Sequence, residues 1–257
     1  MDAWVQLLLL WMPTFVLHLV RIGAFFAAQP LFGVQKDSKM LRLVLGISLA
    51  TIFFWSESDF VRADNLMHLG MLGLREAAVG LALGMGARLL TATMILAGEI
   101  ISHETGFSMA QLVNPETGRT SPVMSQLFEV VAFMLMFQLN VHHGLLIVFG
   151  SIYDVVPVGA PFEIEIVWDR LNEMVMVSIV YGVRYALPVL GVMVLLTATL
   201  VMLARAVQHL NLMVFSFGIR IMLALFASMF LVAEGAPFLE FMFEDILGRI
   251  GEMFSAR

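Results

Sequence analysis

Glu99 and His103 stand four residues apart with Glu104 beside them, and that step puts two side chains on one helix face. A metal pair needs such spacing, but a zinc site takes at least three protein ligands, and no set of the HExxH kind accompanies these two. The pattern favours a polar helix end entering a loop, and no metal is expected. His142 and His143 are neighbours, so on a helix they point about 100° apart and share one ion poorly. They are read as a hydrogen-bonded interior pair. Glu163 and Glu165 could serve as paired carboxylates, yet they sit two apart beside the polar break at 154–161, where a solvated face is the simpler account. The chain has no cysteine, so thiol nucleophiles, disulfides and thiolate zinc sites are excluded. No serine is placed with a base, and no glycine-rich loop follows a strand. No catalysis and no cofactor are expected.

The elements that must position these groups are membrane helices. Of 257 residues 60% are apolar and 13% charged, against about 25% charged in soluble domains, and the mean hydropathy is +0.93. The net charge of −6 is spread thinly with no basic patch, which argues against nucleic acid as a partner. Only residues 130–153 and 185–204 run twenty residues or more without a formal charge. Crossing a bilayer as a helix takes about 20 apolar residues. Elsewhere lone charges such as Arg21, Glu76, Glu99, Arg184, Arg220 and Glu234 interrupt the apolar text. A charge facing lipid costs several kcal/mol, so these must face protein or a wet cavity. Glu99 and Arg220 in particular are expected to be paired or cavity-facing.

Apolar helices are predicted near residues 3–32, 41–56, 66–104, 123–153, 172–208 and 212–233, with an amphipathic piece at 237–254. Pro13, Pro30 and Pro188 should kink or end helices. Several segments are too short or too charged to cross alone, which predicts tilted and re-entrant hairpins packed in protein. The fold class is therefore an all-α membrane protein, organised over 1–257 as a single polytopic domain. Lys36, Lys39 and Arg42 form the one positive cluster, which the positive-inside rule assigns to the cytoplasm. The N-terminus lacks the basic region of a cleavable signal.

Three features remain to be placed. Gly73, Ala77, Gly80, Gly84, Ala87, Thr91 and Gly98 recur at alternating four- and three-residue steps, with Met94 as the one large member. They line one helix face along which another backbone can approach closely. That neighbour is either a helix of this chain or a helix of another subunit. The twenty methionines are either filler in an apolar bundle or a deformable gasket around a moving polypeptide. The loop at about 105–122 holds Gly106, Phe107, Ser108, Met109, Leu112, Val113, Asn114 and Pro115. A freely solvated loop would waste those apolar side chains, so it should fold back into a cavity.

The motifs, taken in order, resemble the FliR family, the R-type subunit of the flagellar protein-export gate, whose injectisome relatives are the SctT proteins. They begin with Arg21 and with Pro30 followed by Leu31, Phe32 and Gly33. Glu76 then precedes Gly80 and Gly84, and Ala97, Gly98 and Glu99 come next. After the loop from Gly106 to Asn114 and Pro115 stand Asn140, His142 and His143, then Pro157, Gly159 and Pro188. Arg205, the stretch 210–217 and Arg220 complete the set. Departures include Gln208 and His209 where Pro-Gln is usual, and Gly218 in place of a proline. Leu210 and Asn211 echo the flagellar pattern more than the injectisome one.

The resemblance implies a non-enzymatic subunit of a helical assembly at the flagellar basal body in the inner membrane. Its partners would be P-type and Q-type subunits and the adjoining B-type switch subunit, and unfolded export substrates would pass through the centre. It also implies that the loop from Gly106 plugs the passage. The competing readings are a self-contained secondary transporter, which needs inverted half-repeats that the sequence lacks, and an injectisome gate subunit.

Overall fold

The computed structural model describes residues 3–28, 39–56, 60–61, 65–106, 122–206 and 212–254. Among them are eight helices and no strand. They are α1 (Ala3–Ala28), α2 (Lys39–Ser56), α3 (Leu66–Thr105), α4 (Val123–Gln138), α5 (Val141–Val155), α6 (Ile164–Ala206), α7 (Leu212–Glu234) and α8 (Ala236–Gly251). By length and composition, four helices can cross a membrane: α1, α3, α6 and α7. The chain is an all-α membrane protein.

It forms two compact units. One comprises Met1–Leu89, Val141–Met174 and Ile246–Arg257, the other Leu90–Asn140 and Val175–Asp245. The helices α3, α6 and α8 supply residues to both.

In the first unit α1 and α2 form an antiparallel hairpin. Phe54 meets Trp11, Phe15 and His18 at one end, and Gly46 lies against Ile22 and Phe26 at the other. Phe25, Phe53, Phe149 and Tyr153 stack into one aromatic pile, an arrangement that adds directional attraction to the area it buries. Leu17, Leu72 and Val158 close the core beneath it.

In the second unit α3 turns its Leu90, Met94, Ala97 and Ile101 stripe fully inward. Residues four and three apart share one helix face. The helices α6 and α7 run antiparallel, because Tyr185 reaches Leu231 at 3.4 Å while Arg220 reaches Thr197 at 3.1 Å. Their apolar windows are each only 17% buried, against 61% for α3, so α3 is the enclosed helix and this pair turns apolar side chains outward.

Three expectations need correction. The charge-free run 130–153 is not one straight span, since it bends at Leu139 and Asn140 between α4 and α5. Asn140 takes φ 55°, a left-handed conformation that asparagine tolerates better than most residues. Its N–H bonds to the Phe137 carbonyl at 3.2 Å and closes α4. Second, α6 begins at Ile164 rather than near 172, and its early charges lie on the outer face: Glu173 pairs with Arg249 at 2.8 Å and with Arg170 at 3.6 Å. Third, Pro13 and Pro188 do not end their helices, which continue through both positions. Proline removes one N–H and crowds a carbonyl, and the flanking turns here continue across that loss.

The bend makes a prediction. Asn140→Val should destabilise the protein by about 1–2 kcal/mol, the cost of a left-handed residue with a branched Cβ, and Asn140→Gly should be neutral. Thermal unfolding in detergent tests it, and equal melting temperatures for the two variants would refute the strained-bend account.

Candidate functional site

The most constrained group of residues lies in the first unit, around an ion pair removed from solvent. Arg21 on α1 and Glu76 on α3 have side-chain exposures of 0% and 1%, and Nε of Arg21 lies 2.5 Å from Oε2 of Glu76. An isolated charge in such a place would cost many kcal/mol, so both must be paired and hydrogen-bonded. Nη1 of Arg21 donates to the Val156 carbonyl at 3.0 Å, and the guanidinium carbon sits 4.6 Å from the centre of the Tyr153 ring, a cation–π position. The other oxygen of Glu76 accepts the Gly159 N–H at 2.7 Å.

That last donor is set by a turn. Ala160 N–H bonds to the Pro157 carbonyl at 3.0 Å, and Gly159 has φ +80°. Those are the marks of a type II turn, which favours glycine at its third position. Tyr153 is held in turn by His18, stacked at 5.3 Å with its Nδ1 3.3 Å from the phenol oxygen. The node joins α1, α3, the end of α5 and the following turn.

One helical turn further on, α1 and α3 touch backbone to backbone. A Cβ on Gly80 would collide with the Arg21 carbonyl oxygen and with the Cβ of Ala24. One on Gly84 would lie 2.5 Å from the Phe25 carbonyl oxygen and 2.7 Å from the Cβ of Ala28. The contacts ascend together, 21 with 80 and 25 with 84, so the two helices run parallel here. Ala24 and Ala28 form a second small-residue pair at i, i+4, facing Gly80 and Gly84. Such pairs let backbones close to van der Waals distance and bring carbonyls onto Cα–H groups.

The small-residue seam therefore meets helices of this same chain. Gly98 does likewise in the second unit, where its Cβ would fall 2.6 Å from the Cα of Ser125 on α4. Ala87 is fully buried, Ala77 is half-buried, and Gly73 has open space around it.

The remaining residues singled out from sequence fall as follows. Arg220 on α7 is half-buried and donates to the Glu104 carbonyl at 3.3 Å and to Oγ1 of Thr197 at 3.1 Å. Glu104 lies in the last turn of α3, where unsatisfied carbonyls and the helix dipole favour a cation. Gly106 follows with φ +84°, the left-handed cap that commonly ends a helix. Glu99 is half-buried and makes no hydrogen bond or ion pair among the described residues. His103, Glu104, Glu163 and Glu165 are exposed. His143 is exposed too, which corrects its reading as half of an interior pair. Among the described residues no three His, Asp or Glu side chains gather where an ion could be held. Phe107, Ser108, Met109, Leu112, Val113, Asn114 and Pro115 lie outside the described residues.

Sequence reasoning named Arg21 and Glu76 but not their partnership, and it missed Tyr153. The usable signal was two lone charges of opposite sign in apolar helices. Only packing could say that they meet.

Together these features define a helical membrane protein whose buried charges bond to backbone and aromatic groups and thereby fix helix positions. The chain matches the family described as bacterial export proteins, family 1, over residues 12–246, and it belongs to that family. It is 30% identical to the flagellar biosynthetic protein FliR of Bacillus subtilis over 88% of each chain. It is 23% identical to FliR of Escherichia coli K12, over 95% of this chain and 94% of that one. With FliR of Aquifex aeolicus the identity is 24% over 77% of each.

Proposed function

We propose that this protein is the R-type subunit of a flagellar type III export gate, a non-enzymatic membrane component that helps form and close the channel for unfolded flagellar proteins. The carrying observation is the similarity to flagellar biosynthetic proteins along nearly the whole length of both chains. The site agrees with it in kind. A parallel helix pair locked by glycines and a buried ion pair gives a rigid scaffold, which a channel wall requires.

The little-buried faces of α6 and α7 suit a subunit that packs against others, here P-type and Q-type subunits and the B-type switch subunit, in the inner membrane at the basal body. Deleting the gene should abolish motility and filament-protein export, and the tagged protein should bring different small membrane proteins through purification. Normal export in the deletion strain would sink the reading.

The loop after Gly106 is assigned the plug of that channel. Its entry is fixed by the left-handed Gly106 and by Arg220 on the Glu104 carbonyl in the last turn of α3, and Phe107, Met109, Leu112 and Val113 need burial. Phe107→Ser with Met109→Ser should make membranes leaky to small ions while the complex still assembles. Unchanged conductance in assembled complexes would remove the loop from the gate.

A further inference from the structure

In the second unit α3 lies between α4 and α6. A Cβ on its Gly98 would fall 2.6 Å from the Cα of Ser125 on α4, and one on Gly182 of α6 would lie 2.9 Å from the Thr93 carbonyl oxygen and against Leu96. Successive helix residues turn by about 100°, which puts Thr93 and Leu96 on nearly the opposite face of α3 from Gly98. Two sides of α3 remain. On one, Phe128 of α4 meets the Tyr185 ring of α6 at 6.0 Å, and the α3 residues there, Met94 and Ala97, are fully buried. The other side stays open. There α3 presents Ile95 and Glu99, both half-buried. On α4, Ser125 faces α3 and Phe128 the closed side, so Glu129 and Phe133 turn to the open one. On α6 the same steps from Gly182 and Tyr185 turn Ile179 and Val183 there, and these are 45% and 38% exposed.

The three helices thus form a cleft with an apolar lining and two carboxylates. Neither Glu99 nor Glu129 has a hydrogen bond or ion pair among the described residues. The described arginines of this unit stand elsewhere. Arg220 bonds to the Glu104 carbonyl at the end of α3, Arg205 lines a cavity with Glu104, and Arg184 lines the groove between α6 and α7. Arg88 stands three turns before Glu99 on α3, about 16 Å along the axis. A half-buried carboxylate among apolar side chains needs a cation or water beside it. Water suits a polar lining, and four of the six side chains named here are apolar.

We propose that this cleft seats a helix of a different membrane subunit, carrying two lysines or arginines about one to two turns apart that pair with Glu99 and Glu129. The proposal rests on the export-gate reading and gives the partner its chemistry. A helix laid on α3 between α4 and α6 completes a four-helix packing, in which side chains of facing helices interdigitate. The apolar walls supply contact area, and the two ion pairs fix register and partner choice. An acidic helix would be repelled, and a neutral one would leave both carboxylates buried without a cation, so the cleft discriminates by charge.

The test uses the full-length protein expressed from its native membrane and purified in mild detergent. A photo-crosslinker replacing Ile179 should form an adduct with a different membrane protein, on an apolar peptide that holds a lysine or arginine. Glu99→Gln with Glu129→Gln keeps side-chain size, so the chain should elute as wild type while the adduct falls several-fold. Glu99→Lys should abolish the adduct, and exchanging the crosslinked partner's cation for glutamate should restore it, which a folding defect would not allow. An adduct within this chain, an adduct with lipid, a wild-type yield in the double glutamine variant, or no rescue by charge exchange would each overturn the proposal and leave the export-gate reading standing. Wild-type protein that brings no other membrane protein through purification would remove that reading and the proposal with it.

Discussion

Gly84→Leu, and more so Gly80→Leu, should leave little folded protein in the membrane, whereas Gly73→Leu on the same helix should accumulate normally. All three glycines lie on one seam of α3, so helix propensity and hydropathy change equally in each, and only the neighbour differs. Around Gly73 there is open space. At Gly84 even a first carbon would lie 2.5 Å from a backbone carbonyl of α1, and at Gly80 it would overlap one.

A flexible side chain could swing aside, but a helix carbonyl moves only with its helix. Overpacking a well-fitted core costs about 1–3 kcal/mol where side chains adjust. It exceeds that here, because parting α1 from α3 also strains the Arg21–Glu76 pair one turn away. Gly→Ala in a helix returns about 1 kcal/mol of propensity, which is too little to offset the clash. Size-exclusion profiles of fluorescently tagged variants read the result directly. A Gly80→Leu, Gly84→Leu double variant with a wild-type profile would show that the two helices do not need this contact.

The seam also shows what sequence can and cannot give. Alternating four- and three-residue steps of small side chains imply a close helix contact, and the structure has one. They cannot name the neighbour, because a glycine face fits a helix of the same chain as well as one from another. The deciding residues were Ala24 and Ala28, a four-residue pair on α1 that composition alone does not distinguish from ordinary apolar filler.

Long apolar helices were legible because burial and membrane length leave a pattern in every turn. The start of α6 was not, since Asp169, Arg170 and Glu173 look like a loop until it is seen that Val167, Leu171 and Met174 are buried beneath them. The break at Asn140 was hidden for another reason. It rests on one backbone angle inside a run whose hydropathy is uniform. The ion pair was half legible: a buried arginine requires a partner, but 55 positions separate it from Glu76, and no local rule bridges that distance.

The same pair supports the last prediction. Arg21→Met removes the cation and leaves the Glu76 carboxyl without the charged partner it has among the described residues, in a site with 1% exposure. Breaking a buried pair from one side costs about 3–5 kcal/mol. For a chain of this size each kcal/mol lowers the melting temperature by about 2–4 °C. The Arg21→Met protein should thus melt on the order of 10 °C lower.

Adding Glu76→Gln should restore part of the loss, since the amide oxygen still accepts the Gly159 N–H while no buried charge remains. Recovery will be incomplete. The Val156 carbonyl loses its donor from Arg21, and a buried acceptor left unmade costs about 1–3 kcal/mol. Tyr153 also loses the cation over its ring. The order expected is therefore wild type, then the double variant, then Arg21→Met alone. A double variant that melts at or below the single one would mean that the charges act independently. The node would then be two separate hydrogen-bonding groups, with nothing holding α1 to α3 through charge.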